Sequence, residues 1–423
     1  MPPHHLSRRA PAAPWSLGWR TGMLGALALA ASGCTPAAEQ GAPAALQSID
    51  SPTGPNSGEP FLSTDADGKV HLSWLQRTGD STWALQYARL DGDTWTPART
   101  IAERGDFFVN WADFPSVQSS RDGVLYAHWL QRRAGGKYSY DVMLTLSPDS
   151  GRTWRDASIL HRDGVAAEHG FVAMWPGEGG GMEAAWLDGR ATHSDDSTAR
   201  AMQVATTSIG ADGTLGGEAM LDSRNCDCCQ VAATLTARGP VVAYRDRSVD
   251  EVRDIAVVRR VNGTWTAPAV VHDDHWQIAA CPVNGPALAS RGDTVVIAWF
   301  TGAQDTARVR VAYSTDAGAT FAPPQRIDGG NPAGRVDVEL LDDGSAAVSW
   351  LERTDSTTAE VRLRRVPRDG QAGAPVVLAR SSGARASGFP KIARRGPDVI
   401  AAWTIPGDTA RIHLARYRLD ALP

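Results

Sequence analysis

An all-β fold made of seven similar units is predicted by three features of the 423-residue sequence. The composition of 42 Gly, 26 Pro and 15 Trp, with 21% charged residues, is typical of many short strands joined by tight turns. A motif of small or apolar residues that ends in an aromatic side chain recurs along the chain. Glycine-containing turns separate the strands within each interval. Together these features exclude a helical bundle and a disordered chain.

The repeated aromatic residues set the number of units. They lie 51 to 58 residues apart and are Trp74, Trp129, Trp186, Tyr244, Trp299, Trp350 and Trp403. Each interval holds four short strands, and four-stranded units at such a period are typical of the blades of a β-propeller. Seven aromatic strands therefore predict seven blades, with six blades as the alternative.

The order of strands within a unit predicts how the ring closes. In the second unit we expect the inner, third and fourth strands at residues 115–117, 141–146 and 156–160. The last unit, residues 389–419, has only three strands before the chain ends. Residues 46–50 resemble the fourth strand at 324–328, so we expect the N-terminal segment to supply the missing outer strand and close the ring.

Residues 1–33 have the pattern of an export signal. The apolar run 23–31 follows a basic segment whose arginines are Arg8, Arg9 and Arg20. About nine apolar residues are too few to span a bilayer, which needs about 20. We therefore expect this segment to be absent from the fold, and the mature protein to lie in an oxidising, extracytoplasmic space.

Small residues directly before Cys34 resemble a bacterial lipobox, which implies that Cys34 is acylated and becomes the mature N-terminus. Ordinary cleavage that leaves a free Cys34 is the alternative. Thr35 follows, rather than the Asp that in this pattern retains lipoproteins at the inner membrane. We therefore expect a lipid anchor in the outer membrane, on the periplasmic or the exterior side. Residues 34–45 then form the lipidated cysteine and a flexible tether, and residues 46–423 form one propeller domain.

The net charge limits the class of partner. The formal charge of −5 becomes −8 when the three arginines of the acid-free leader are removed. A chain of this charge is a poor binder of nucleic acid or of an anionic membrane surface. We expect no nucleic-acid partner, contact with the membrane only through the lipid anchor, and a monomer.

Two turns between third and fourth strands share the pattern S-x-D-x-G-x-[TS]-[WF]. They are residues 147–154 and 314–321, and shorter copies stand at 91–95 and 262–265. In such a turn Asp accepts backbone N–H groups, Gly takes a positive φ and the aromatic packs between sheets. On these motifs residues 46–420 resemble the sialidase-like Asp-box propellers (BNR repeats). The resemblance implies that the Asp boxes are structural and lie opposite the active face.

One face of a propeller carries both the segments that lead into the inner strands and the loops that follow the second strands; we call it the upper face. The polar residues expected there include Asp113, Glu168, His169, Asp188, Arg190, Arg245, Arg247, Arg335 and Arg385. The three carboxylic acids are catalytic candidates, because paired carboxyl groups can act as acid and base. The five arginines and His169 are candidates for ligand binding, because guanidinium groups fork to carboxylates. For residues 245–247 a structural ion pair between blades is the alternative.

The resemblance implies a particular chemistry on the upper face. Hydrolases of the family bind a sugar carboxylate with three arginines, and use a Tyr nucleophile supported by Glu together with an Asp acid/base. This chain has Glu59-Pro60-Phe61 where the family has Arg-Ile-Pro, and Phe389 where the last blade tends to keep the tyrosine. We therefore expect recognition of an anionic, carbohydrate-like ligand or another carboxylate on the upper central face, without a cofactor. A sialidase-type exo-glycosidase is the alternative.

Four cysteines gather in two neighbouring units and are Cys226, Cys228, Cys229 and Cys281. Alignment of the inner strands places Cys228 and Cys281 at equivalent positions near the axis. An oxidising compartment favours disulfides, for example from Cys226 or Cys228 to Cys281, in a cross-linked scaffold for a protein partner. A thiolate site for copper or zinc, joined by His169, is a second interpretation, and free or redox-active thiols are a third.

Overall fold

Seven antiparallel sheets, one for each repeat, make up the part of the chain that the computed structural model describes, residues 45–134 and 136–423. Each inner strand packs beside the inner strands of two neighbouring blades, and the first blade contacts the last. The sheets thus form a closed ring. The prediction of an all-β propeller with seven four-stranded blades is confirmed, and the alternative of six blades is wrong.

The strands follow one another in chain order from the axis outwards. Blade 1 contains β2 (Ser57–Thr64), β3 (Val70–Arg77), β4 (Trp83–Asp91) and the divided outer strand β5 (Thr94–Trp95) and β6 (Arg99–Arg104). Blade 2 contains β7 (Ser116–Ser119), β8 (Leu125–Arg132), β9 (Tyr140–Ser147) and β10 (Ser158–Ile159). Blade 3 contains β11 (His169–Pro176), β12 (Met182–Asp188), β13 (Met202–Ile209) and β14 (Ala219–Asn225). Blade 4 contains β15 (Ala232–Thr236), β16 (Gly239–Arg245), β17 (Ile255–Val261) and the divided outer strand β18 (Thr264–Trp265) and β19 (Ala269–Val270).

The remaining three blades have the same order. Blade 5 contains β20 (Ala287–Arg291), β21 (Thr294–Thr301), β22 (Arg308–Ser314) and β23 (Gln325–Arg326). Blade 6 contains β24 (Pro332–Leu340), β25 (Ala346–Arg353), β26 (Thr358–Val366) and β27 (Val376–Ser382). Blade 7 contains β28 (Lys391–Arg395), β29 (Asp398–Ile405), β30 (Arg411–Arg418) and β1 (Leu46–Ile49). Short 3-10 helices lie at Arg190–His193, Ala303–Asp305, Arg385–Ser387 and Leu419–Ala421.

Strand β1 closes the ring as the outer strand of blade 7. It pairs antiparallel with β30, so that Leu46 lies opposite Tyr417 and Ile49 opposite Leu414. Without β1, the hydrogen-bonding edge of β30 would be open to pairing with another chain. The predicted closure by the N-terminal segment is confirmed.

The repeated aromatic residues pack between blades, and all seven are buried. Trp74 of blade 1 shares a core cluster with Ile400 and Leu414 of blade 7. Trp350 of blade 6 does the same with Val296 of blade 5. Burial of one such side chain contributes roughly 2–3 kcal/mol to stability. The motif therefore recurs once per blade because each sheet needs one large apolar contact with its neighbour.

The turns at 147–154 and 314–321 are fixed by their aspartates. Asp149 accepts the backbone N–H of Thr153 at 2.9 Å and its hydroxyl at 2.7 Å. Gly151 has φ +80°, a conformation that L side chains rarely adopt. The ring of Trp154 then packs edge-on against Tyr87 of blade 1, 6.1 Å between centroids. Each such turn thus holds its own blade and contacts the preceding one.

No helix among residues 45–134 and 136–423 is both long and apolar enough to cross a membrane. The expected export signal, Cys34 and the tether up to residue 44 lie outside the described residues.

Candidate functional site

The inner strands of three blades begin with a bulge that turns one side chain out of register. The bulge residues Glu59, Phe171 and Arg335 have φ values of +52°, +54° and +56°. The inner strands of the other four blades pair without such a shift, from Ser116, Ala232, Ala287 and Lys391 onwards. A bulge re-aims its side chain, so blades 1, 3 and 6 each turn one residue at the upper end of the central channel.

Residues 110–114, which connect blades 1 and 2, cross the upper end of this channel. Gln230 of blade 4 donates to the carbonyl of Ala112 at 2.6 Å. The backbone N–H of Phe171 in blade 3 donates to Asp113 at 2.7 Å. Trp111 stacks on Phe389 of blade 7 at 5.8 Å. A segment that touches blades 3, 4 and 7 must pass over the axis, so the upper central face is covered where the sequence predicts a ligand site.

The channel below residues 110–114 holds a cavity of about 380 Å³. Lys391 lies in it with its Nζ atom 4.8 Å from the ring centroid of Phe114. Asp337 and Glu339 are two residues apart on β24 and therefore both face the axis. Burial raises the pKa of Glu339 to about 8 and also raises the pKa of Asp337. The cavity is thus polar and of mixed charge.

Two of the catalytic candidates meet at a buried tyrosine that the sequence analysis missed. The Tyr140 hydroxyl donates to Glu168 at 2.7 Å and lies 3.4 Å from Asp113. Burial, and next the neighbouring Glu168 charge, raise the pKa of Asp113 well above its usual value. Burial raises the pKa of Glu168 to about 7. Asp113 and Tyr140 are buried, so only the half-buried Glu168 is open to a ligand.

The third catalytic candidate, Asp188, is held by Arg190. The guanidinium donates to both carboxylate oxygens, at 2.8 and 2.6 Å, and also to Glu218 at 2.8 Å. The hydrogen bond to Asp188 raises the pKa of Arg190. Burial by itself would raise the pKa of Asp188, but the hydrogen bond from Arg190 lowers it. Fully buried His169 lies between Asp188 and Asp163, with Nε2 at 3.7 and 3.1 Å from their oxygens. These residues form a structural ion network.

The arginines of blade 4 are also occupied by protein groups. Arg245, 1% exposed, donates to the carbonyls of Asn284, Phe300 and Arg253. Arg247 donates to Glu251 at 2.7 Å and to Asp227 at 3.3 Å. Arg245 therefore has a structural role, as in the alternative interpretation of residues 245–247. The partners of Arg245 are, however, backbone carbonyls and not a carboxylate.

Arg335 and Arg385 differ in what remains free. Arg335 is buried, and its guanidinium donates to the Ser387 hydroxyl and to the carbonyls of Gly388 and Ala384. Burial lowers its pKa to about 10. Arg385 is exposed, and its guanidinium lies 6.0 Å from the ring of Trp111. Among residues 45–134 and 136–423, no hydrogen-bonded partner occupies the donors of Arg385, which leaves them available for a ligand.

All four cysteines of blades 4 and 5 are free thiols. Cys226 Sγ lies 3.8 Å from Cys228 Sγ and 3.5 Å from Cys229 Sγ, against about 2.05 Å in a disulfide. Cys281 approaches Cys228 closely enough to share a thiol hydrogen bond, which lowers the pKa of Cys281. The expected disulfides are therefore absent among the described residues. His169 groups with aspartates and not with these thiols, which corrects the expectation that it joins them.

Comparisons with known proteins agree with the architecture. No protein-family model and no curated protein matches the sequence. Similar solved structures include a protein of unknown function from Dyadobacter fermentans, at 15% identity over 89% of this chain and 98% of that chain, TM-score 0.51. An α-L-arabinofuranosidase of Fusarium graminearum is 13% identical over 87% of this chain and 94% of that chain, with a TM-score of 0.48. A sialidase from Streptococcus pneumoniae is 13% identical over 89% of this chain and 70% of that chain, with a TM-score of 0.47. At these identities the likeness concerns the fold alone.

Proposed function

We propose that the chain is an exported propeller, anchored through Cys34 at the outer membrane, that binds an anionic, carbohydrate-like ligand on its upper face beside Trp111 and Arg385. One observation carries this proposal. Of the five arginines put forward for ligand binding, Arg385 alone has no hydrogen-bonded or ion-paired partner among residues 45–134 and 136–423, and it is exposed.

Trp111 and Arg385 together offer both kinds of contact that an acidic sugar needs. The half-buried indole can pack against the apolar face of a pyranose ring, and the guanidinium can fork to its carboxylate. Arg335 holds the indole from below, 4.9 Å from the ring, and adds a second positive charge. Asp113 follows Trp111 closely in the chain, and burial raises its pKa, which favours the uncharged form of the carboxyl beside the ligand.

Calorimetric titration with sialyllactose and with a galacturonate oligomer tests this binding. Arg385→Ala and Trp111→Ala should each weaken the affinity by roughly tenfold or more, because each removes one of the two contacts. Arg380→Ala is the matched control, since Arg380 is an exposed arginine on β27 of the same blade. Equal affinity of the Arg385→Ala and Arg380→Ala proteins would overturn the proposal.

Hydrolysis by an exo-glycosidase is the second candidate, and Glu168 is the observation that favours it. A carboxyl group that titrates near neutral pH suits a general acid, and the pKa of Glu168 is about 7. Fluorogenic sialosides and arabinofuranosides would report turnover. Glu168→Gln should abolish that turnover and leave the affinity for sialyllactose unchanged. Turnover that survives in Glu168→Gln would remove this residue as the acid.

A further inference from the structure

The thiol cluster is a group of four cysteines, Cys226, Cys228, Cys229 and Cys281, between blades 4 and 5. The sulfur atoms of the first three all lie within 4.8 Å of one another. Cys281 comes from the segment that leads into β20 and meets Cys228. A turn of four residues thus brings three thiols together, and a neighbouring loop places Cys281 beside Cys228.

The sulfur separations match a metal-centred tetrahedron. With a metal–sulfur distance of about 2.3 Å, the edge of a tetrahedron is about 3.8 Å. The observed separations from Cys226 are 3.8 and 3.5 Å. A disulfide would require a pair of these sulfurs to approach by well over 1 Å, down to about 2.05 Å.

Burial within the cluster is graded from one side to the other. Cys226 and Cys229 are buried, Cys228 is half-buried and Cys281 is exposed. An ion can therefore enter from the side of Cys281, which supplies the last ligand. The burial of Cys226 and Cys229 keeps water away from the inner sulfurs.

The surroundings also supply the donors that thiolates need. Arg253 Nη1 lies 3.2 Å from Cys226 Sγ, and the backbone N–H of Asn284 donates to Cys229 Sγ at 3.4 Å. Four thiolates around a divalent ion carry a net charge of −2. Arg253 and the buried Arg245 lie close enough to act on the charge of Cys226 and so offset it. Such hydrogen bonds to ligand atoms orient a metal site.

We propose that the thiol cluster is a tetrahedral thiolate site for a soft d10 ion, Zn²⁺ or Cu(I), separate from the ligand site beside Trp111. Thiolates select these ions over harder cations. Binding one ion releases the thiol protons of its ligands, so the affinity rises with pH.

Metal titration of the full chain, purified without oxygen, tests the site. Co²⁺ should bind one per chain with the charge-transfer and d–d absorption of tetrahedral thiolate coordination. Zn²⁺ should displace it in competition with a chromophoric chelator, and Cu(I) should do so in competition with bathocuproine disulfonate. The ion that displaces Co²⁺ with the higher affinity is the ion that the site prefers. Failure of both ions to bind would overturn the proposal.

Cysteine variants show whether the signal belongs to this cluster. Cys228→Ser should lower the affinity for the displacing ion by about 100-fold or more, and Cys281→Ser by at least about tenfold. Because Cys281 is exposed, its variant keeps the fold even where Cys228→Ser does not. Cys34→Ser removes the remaining cysteine and should leave the affinity unchanged. Mass spectrometry that finds these four cysteines paired as disulfides in the native protein would overturn the site.

Discussion

Blades 3 and 4 carry polar clusters at their upper ends that behave differently. In blade 3, Arg190 and Asp188 form a forked ion pair, and His169 lies against two aspartates. In blade 4 the sulfur atoms of the thiol cluster accept hydrogen bonds from Arg253 and from the backbone N–H of Asn284. Opposite charges satisfy one another within the protein, whereas thiols are weak donors and weak acceptors. We therefore expect the first cluster to stabilise the fold and the second to bind the proposed metal ion.

The blade 3 cluster also spreads into blade 2. His161 stacks on His169 at 3.6 Å between ring centroids, and its Nδ1 atom lies 2.9 Å from Asp163. Burial by itself would raise the pKa of Asp163, but hydrogen bonds from both imidazoles hold this pKa well below its usual range. This group of imidazoles and carboxylates therefore ties the two blades together at their upper ends.

Removal of Asp188 should give the largest effect. Asp188→Ala strips Arg190 of its forked partner and leaves the buried indole N–H of Trp186 without its acceptor. We expect the free energy of unfolding to fall by about 3–5 kcal/mol, as for other broken buried ion pairs. Urea denaturation followed by tryptophan fluorescence measures it.

Asp408→Ala is the control for that experiment, because Asp408 is exposed between β29 and β30. Its effect should stay within about 0.5 kcal/mol. If Asp188→Ala costs less than about 1 kcal/mol, the blade 3 cluster is not structural and the contrast with blade 4 disappears.

A pH titration of stability should give an intermediate effect at Glu168, which lies between the two clusters. Burial raises its pKa from 4.5 to about 7, and the Asp227 charge adds to this. Between these pH values the folded protein keeps a proton that the unfolded chain releases. The contribution of Glu168 to the free energy of unfolding therefore falls as pH rises from about 4.5 to 7, and is constant above.

Glu168→Gln should remove this decline, because the amide oxygen still accepts from Tyr140 and carries no charge. Relative to the parent, the variant should gain about 1–3 kcal/mol between pH 4.5 and pH 8, a range that allows for partial exposure of Glu168. Glu103→Gln, at an exposed position of β6, controls for the change in net charge. Parallel stability curves for Glu168→Gln and the parent protein would contradict the assignment.

Sequence patterns were sufficient for the ring because its signals repeat from blade to blade. The buried aromatic residue, the glycine turns and the fourth-strand pattern of residues 46–50 can each be recognised by comparing one repeat with another. The partners of the arginines depend on other blades. Arg335 reaches Gly388, and Arg245 reaches Phe300, about one repeat further along the chain. The sequence places these arginines on the upper face. Their hydrogen bonds to backbone carbonyls arise only when the blades are assembled.

Several residues at the site gave a weak signal or none. Tyr140 begins a strand and has the same pattern as a core aromatic. Trp111 lies in a connecting segment whose path across the axis follows from contacts with blades 3, 4 and 7. Lys391 did have a signal, because the sequence contains only three lysines, Lys69, Lys137 and Lys391. Its position on an inner strand predicts that it faces the channel, as the structure shows.

Cys281→Ser should give the smallest effect in the reduced, metal-free protein. Cys281 is exposed, so the change should alter the free energy of unfolding by no more than about 0.5 kcal/mol. Cys229→Ser is the matched comparison, because it places a hydroxyl at a position 1% exposed and should cost about 1–3 kcal/mol.

The same two variants in the presence of Zn²⁺ sharpen the comparison between the clusters. An ion that binds only the folded state raises the melting temperature, and the rise grows with the logarithm of its affinity. The parent protein should therefore gain stability on adding Zn²⁺, and Cys281→Ser should gain much less although its metal-free stability is unchanged. Asp188→Ala, weakened in the other cluster, should keep the full gain. An equal gain in Cys281→Ser and the parent would mean that the ion binds elsewhere, and that the thiols of blade 4 are as structural as the ion pairs of blade 3.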